Sequence, residues 1–389
     1  MIMVWTAVLA LSILGYVLLD GLVLGVGIIM AFAPEKRRRQ RMFSAVGPLW
    51  DGSEAWLIAA GVVLWGAFPI VFSTLMSAFK LPMLLMLAGL IVRRIACVWR
   101  FKTETDRSIS DACFCWGSLI AAFMQGVMVG GLVDGLPFSG TSYVGGEFGW
   151  ISLFAMVCGI GLCFGYSLLG ASWLFYKSDG DVRDEARQSV EHVAGGLLAI
   201  FTFLFLYALV GDYRVMSRWL DNPYLLVIPA TGAVTSFLLS ATMRYPRNDL
   251  ALYAGMMIFG VGFATLVISF WPYMVPFSIT IDGGAAAPDR LTSMSQYAFV
   301  LPLMVLYTIN NHAIFRGRGW RGRTTPPREE GEDDETDCSL FALPVPALPI
   351  SERWSHLRRQ TSSCGGRGAD TDVGVAPDHG SRPPPPPDR

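Results

Sequence analysis

The feature that most constrains this chain is a recurring absence of charge. Nine stretches free of Asp, Glu, Lys and Arg follow one another: 1–34 (interrupted only by Asp20), 55–79, 81–92, 112–133, 148–176, 193–211, 222–243, 250–281 and 291–315. Charge is expensive in hydrocarbon, and a spanning helix needs about 20 mostly apolar residues. Each run therefore predicts one membrane span. The short third run is expected to extend to about residue 98, with Arg93 and Arg94 snorkelling toward an interface. The runs are far too long for the ~10-residue alternating strands of a membrane barrel, so spanning strands are excluded. The expected fold is an all-α polytopic membrane protein with nine transmembrane helices.

The 389-residue average of 16% charged residues conceals two different polymers. Residues 1–316 hold 20 Lys and Arg with 19 Asp and Glu, about half the charge density of a soluble domain. This excludes a soluble enzyme, a nucleic-acid binder and a secreted disulfide scaffold. A net charge of −1 points to no polyanionic partner. Loops 34–48, 93–110, 177–192, 244–249 and 316–323 together hold 19 Lys and Arg, whereas the alternate loops hold four: Lys80, Arg214, Arg218 and Arg290. The positive-inside rule then puts the N-terminus outside and the C-terminus in the cytoplasm. Residues 1–30 lack a basic leader and contain an acid in mid-run, so they read as a retained first helix and not a signal peptide.

Residues 317–389 carry GEDDETD, short Pro/Leu segments and a PPPPP run, without an 18-residue apolar stretch. This segment is expected to be a disordered cytoplasmic tail following a 1–316 transmembrane domain. One internal echo pairs Gly15-Tyr16-Val17-Leu18-Leu19 with Gly165-Tyr166-Ser167-Leu168-Leu169 in runs one and five. Both runs are expected to cross in the same direction, which allows a parallel repeat: two four-helix bundles plus one extra helix.

Few residues in the apolar part invite redox or metal chemistry. A haem within a bundle needs His, Met or Cys axial ligands. The two histidines before the tail, His192 and His312, fall at span boundaries, where an interfacial hydrogen-bonding role is the simpler reading. The 17 methionines suit packing in so apolar a chain. Cys113 and Cys115 are spaced C-x-C, while Cys97, Cys158 and Cys163 are single, so no metal-site spacing appears. The expectation is that this chain ligates no haem and no metal, and offers no nucleophile–base pair.

The acids are more informative. Asp20 lies about 12 residues, roughly 18 Å of helix, before the inner end of the first span. A charged Asp at a helix centre costs ~2.5–3.5 kcal/mol on insertion scales, so it must be protonated, hydrogen-bonded or facing water. Trp50, Asp51 and Glu54 open the second span at its cytoplasmic end, with Asp51 and Glu54 at i and i+3 on one face. Carboxylates near a helix N-terminus suit its dipole, so simple capping competes with a proton-handling role at both positions.

With these residues in place, the chain resembles subunit II of the cytochrome bd-type quinol oxidases. The resemblance rests on GYVLLDGLVLGVG at 15–27, GPLWDGSEAWLI at 47–58, VRRIACVWR at 92–100, GYSLLGASWLFYKSDG at 165–180, SFWPYMVP at 269–276 and PLMVLYT…IFRG at 302–317. Two family carboxylates are absent: Val23 stands where the first block usually has its second acid, and Val98 where the third block usually has one. The pattern looks like the divergent, cyanide-insensitive branch, and the tail past Gly317 has no family counterpart.

The resemblance implies a bacterial inner-membrane complex that oxidises quinol and reduces dioxygen to water. It implies that haems b and d belong to subunit I, the partner in a heterodimer, with a small single-helix subunit as a further partner. In this chain it implies a cytoplasmic proton path whose aspartate corresponds to Asp51, beside Trp50, with Asp20 matching the first acid of the first block, and a site for a tightly held quinone or lipid. Glu54, on the same helix face as Asp51, is expected to join that path. A proton-coupled secondary transporter is the main rival, with Gly66 and Pro69 as a candidate helix break in one half. A purely structural assembly protein is the third reading.

Overall fold

The computed structural model describes residues 1–33, 35–46, 52–102, 108–139, 142–178, 181–211, 221–242, 250–296 and 300–315. Helices dominate, as the charge-free runs require. The first run forms α1 (Ile2–Phe32), which stops at Ala33 in an extended conformation. Pro34 comes next in sequence, and the residue before a proline is driven out of the helical region. A basic helix, α2 (Lys36–Val46), follows. Then come α5 (Lys80–Lys102), α6 (Ser108–Asp134), α7 (Leu153–Lys177), α8 (Asp181–Gly211), α9 (Val227–Thr242) and α10 (Leu250–Phe270), with a single 3-10 turn (Pro223–Leu226) before α9. Among the described residues, α1, Lys80–Arg100 of α5, α6, α7 and α10 are each long and apolar enough to cross a membrane.

The second run departs from its expectation. It forms two helices, α3 (Ser53–Ala67) and α4 (Pro69–Ala78), bent by 118° at Phe68. Pro69 has no N–H to continue the α3 ladder, and it suits the first position of a new helix. The fifteen residues of α3 rise only about 22 Å, short of the ~30 Å hydrocarbon thickness.

The end of the eighth run explains what fills the break. It leaves the helix at Phe270 and makes a two-stranded antiparallel hairpin, β3 (Tyr273–Val275) with β4 (Ile279–Thr280). The turn α11 (Ile281–Gly284) and helix α12 (Pro288–Ser295) follow. The N–H of Ala286 donates to the Ala67 carbonyl at 2.8 Å, satisfying a group that the bend frees. Trp5 Nε1 donates to the Leu291 carbonyl at 3.3 Å, and the Met294 side chain covers Gly66. Val275, Ile279, Ile281 and Leu291 are buried there. Apolar residues that read as the end of one span and the start of another therefore serve as packing for a cap. The last helix, α13, runs Val300–Phe315. A second hairpin, β1 (Phe138–Ser139) with β2 (Ser142–Tyr143), joins α6 to α7. Both hairpins escape the expectation of an all-helical chain, and both are too short to span.

At the centre, α1 packs against α3, α6 and α7. Its crossing with α7 is made at Gly25 and Gly170, where a Cβ on Gly25 would overlap the Tyr166 carbonyl. At the C-terminal end of α1, α2 buries Met42, Phe43, Ala45 and Val46 against the bundle. Trp173 Nε1 donates to the Ala45 carbonyl at 3.0 Å, Arg100 Nη2 to Gln40 Oε1 at 3.0 Å, and Arg39 Nε to the Ala33 carbonyl at 2.8 Å. Arg100 also pairs with Asp111 and stacks over Phe43. These bonds hold α2 as a fixed element.

Candidate functional site: a buried carboxylate cluster

Asp20 is fully buried, in the second half of α1. Its Oδ1 accepts from Arg93 Nη2 of α5 at 2.7 Å and from Ser53 Oγ at the start of α3 at 3.0 Å. Arg93 is only 3% exposed, so the expectation that it snorkels to an interface is overturned. The bilayer interior offers no water to an isolated Asp20, and the guanidinium fixes the charge where it lies. Arg94 is 36% exposed and lies 3.8 Å from Glu54, a residue of the first turn of α3. Glu54, 34% exposed, is also 3.8 Å from Arg93 Nη2. One arginine thus stands between two carboxylates, one half-buried and one fully buried. Asp20 Oδ2 and Arg93 Nη1 are both buried and have no hydrogen-bond partner among the described residues.

A second hydrogen-bonded chain approaches Asp20 from α6 and α7. Tyr166 donates to Gln125 Oε1 at 2.7 Å, and Gln125 Nε2 donates to the Tyr16 hydroxyl oxygen at 2.7 Å. Tyr16 sits one turn before Asp20 on α1. The echoed Gly-Tyr motifs therefore meet physically, through one glutamine. A primary amide donates and accepts but does not shuttle protons readily, so this chain orients Tyr16 and closes the cluster toward α7. The Tyr166 ring stacks on Phe259 with centroids 5.5 Å apart.

Of the residues singled out in the sequence, Asp20 and Glu54 are brought together through Arg93. Asp51 and Trp50 lie outside the described residues. Helix α3 begins at Ser53 with Gly52 as N-cap and no side-chain cap. Val23 is buried in the core, and Val98 is 43% exposed. Sequence reasoning missed Arg93, Ser53, Gln125 and the role of both tyrosines. Beside the cluster, a cavity of about 630 Å³ lies between the start of α3 and α13, walled by Trp56, Met304, Tyr307 and Asn310. Trp56 Nε1 crosses it to donate to Thr308 Oγ1 at 3.1 Å. Among the described residues no three His, Cys, Asp or Glu side chains converge as a metal site. His192 and His312 fall on α8 and α13.

Long apolar helices around a buried ion pair define a polytopic membrane protein. The chain belongs to the family described as cytochrome bd terminal oxidase subunit II, which it matches over residues 1–315. It is 27% identical to the probable cytochrome oxidase subunit 2 of Haemophilus influenzae, covering 81% of this chain and 94% of that protein. It is 26% identical to the cytochrome bd-I ubiquinol oxidase subunit 2 of Escherichia coli K12, covering 78% and 91%. It is 24% identical to the cytochrome bd ubiquinol oxidase subunit 2 of Bacillus subtilis, covering 81% and 95%. In fold it is similar to the bd oxidase of Geobacillus thermodenitrificans, with a TM-score of 0.66 at 17% identity over 81% of this chain and 98% of that one. The chain is thus a multi-pass bacterial inner-membrane subunit of a terminal oxidase. Its partner is subunit I, and the transporter reading is not favoured. The helix break at Phe68 agrees with this, because Ala286 and Met294 fill it where a transporter would place substrate.

Proposed function

We propose that this chain, as subunit II of a quinol:oxygen oxidoreductase, supports the haem-bearing subunit I and delivers cytoplasmic protons for the reduction of dioxygen to water. Supporting this reading is the step from half-exposed Glu54 to fully buried Asp20, with Arg93 within 3.8 Å of both. A proton arriving at one carboxylate weakens its hold on the guanidinium, and the other carboxylate is close enough to take it. Arg93 thereby offsets the charge change without exposing either acid to lipid. Asp51, beside Trp50 and three residues before Glu54, is the entry acid in this reading. Family carboxylates replaced by Val23 and Val98 make Asp20 and Glu54 the route available here.

The haems b and d belong to subunit I in this proposal, since a haem needs an axial pair that the His192 and His312 positions do not offer at bundle depth. The cavity beside Trp56, about 630 Å³, is of a size that holds small ligands and is where a quinone or lipid would lie. A small single-helix subunit completes the assembly. The topology in this reading is nine spans with the N-terminus outside, and residues 317–389 form a dispensable cytoplasmic tail. Cysteine labelling tests it: 34–48 and 177–192 should react from inside, and 134–148 from outside.

The decisive experiment for the path is Asp51→Asn in the assembled complex. Asn caps a helix nearly as well as Asp but cannot take up and release a proton near neutral pH. Oxygen consumption should fall while haem content and assembly stay normal. Unchanged oxygen consumption at matched haem content would leave the subunit as a scaffold.

A further inference from the structure

Five of the first six residues of α2 are basic, and the structure divides them into two sets. Arg38 pairs with Glu35, and Arg39 caps the end of α1 through the Ala33 carbonyl. Lys36, Arg37 and Arg41 are exposed and form no ion pair among the described residues. Arg37 and Arg41 stand at i and i+4, on the face opposite the buried Met42, Phe43, Ala45 and Val46. The bonds from Trp173, Arg100 and Arg39 fix the helix in place, so its backbone is already ordered where the cations meet an anion. Immediately before them, at the end of α1, Ala31 is exposed and Phe32 is 82% exposed. An exposed aromatic ring four residues before the first of these uncompensated cations in sequence matches one chemistry, an acyl chain joined to an anionic headgroup.

We propose that Lys36, Arg37 and Arg41 bind the phosphate of an anionic phospholipid of the inner leaflet, whose acyl chain lies on Phe32. The leaflet follows from the cytoplasmic placement of loop 34–48 proposed above. The headgroup charge itself is recognised by the three cations. A protein partner is the rival occupant, but it would have to present acids to α2 and an apolar face to Phe32 at once. The lipid supplies both in a single molecule.

The test is native mass spectrometry of the assembled oxidase complex in detergent, delipidated and then titrated with phosphatidylglycerol or phosphatidylcholine. The wild-type complex should bind phosphatidylglycerol in preference, and added salt should erode that preference. Each cation near a charged membrane surface contributes about fivefold, so Lys36→Gln/Arg37→Gln/Arg41→Gln should weaken phosphatidylglycerol binding about a hundredfold and spare phosphatidylcholine. Phe32→Ala should weaken both lipids alike. If the triple variant fails to assemble, Arg41→Gln alone should lose about fivefold, and Lys36→Arg/Arg37→Lys/Arg41→Lys should lose nothing. Equal binding of the two lipids by the wild type, or undiminished phosphatidylglycerol binding by the neutral variants, overturns the proposal. So does release of subunit I from the triple variant with lipid retained, which would identify the face as a protein interface.

Discussion

Arg93 Nη2 lies 2.7 Å from Asp20 Oδ1, and both side chains are buried although 73 positions separate them in sequence. Removing one partner of such a pair strands a charge and costs about 3–5 kcal/mol, whereas removing both charges together is often nearly neutral. Arg93→Ala should therefore lower the thermal midpoint of the purified complex sharply. Asp20→Asn with Arg93→Gln should recover most of that loss. Additive losses in the double variant would show that the two residues act separately.

Glu54 is the contrasting case. At 34% exposure, and 3.8 Å from both arginines, it adds little to stability, about 0–1 kcal/mol after solvent screening. Glu54→Gln should leave the thermal midpoint within a degree or two yet slow turnover, because an amide cannot hold the transferred proton. Oxygen consumption and melting, measured on the same preparation, separate the two effects. A large loss of stability with normal turnover would make Glu54 a structural residue.

The helices were legible because charge is excluded from hydrocarbon, and that exclusion leaves a readable trace in the chain. Where the apolar residues face protein, the trace misleads. The break at Phe68 and the uncharged stretches 271–281 and 291–295 read as parts of spans because Val275, Ile279, Ile281 and Leu291 are buried against the rest of the protein. Asp20 was legible as costly, but its partner was not, since Arg93 sits among other basic residues at the end of a run. Depth was the usable signal. Asp20 lies 12 residues before the end of α1 and Arg93 nine before the end of α5, roughly 18 and 14 Å by helical rise. The echoed Gly-Tyr motif was visible too, but the Gln125 that joins its two tyrosines belongs to neither copy.

That glutamine makes a prediction of its own. Gln125→Leu removes a donor from Tyr16 and an acceptor from Tyr166, leaving two buried hydroxyls to find new partners. Each unsatisfied buried group costs about 1–3 kcal/mol, so the variant should be clearly destabilised. Adding Tyr166→Phe to Gln125→Leu should cost little more, since one stranded hydroxyl is removed with the side chain. Thermal melting of the assembled complex checks the order. A double variant much weaker than Gln125→Leu would mean that Tyr166 is held mainly by its ring against Phe259.

The crossing of α1 and α7 sets the register on which all these contacts depend. A Cβ at Gly25 would overlap the Tyr166 carbonyl oxygen, and one at Gly170 would press on the Gly25 backbone. Backbone cannot rotate away as a side chain can, so Gly25→Ala must push the two helices apart. That displacement moves Tyr166 from Gln125 and shifts Asp20 against Arg93, so several contacts fail together. Gly61 of α3 is the matched control, because among the described residues nothing lies within 4 Å of a Cβ built there. Gly61→Ala should be neutral or stabilising by up to about 1 kcal/mol, since alanine favours helix over glycine. The yield of assembled complex and its thermal midpoint should therefore collapse for Gly25→Ala and hold for Gly61→Ala. Equal behaviour of the two variants would show that the α1–α7 crossing does not set the geometry of the carboxylate cluster.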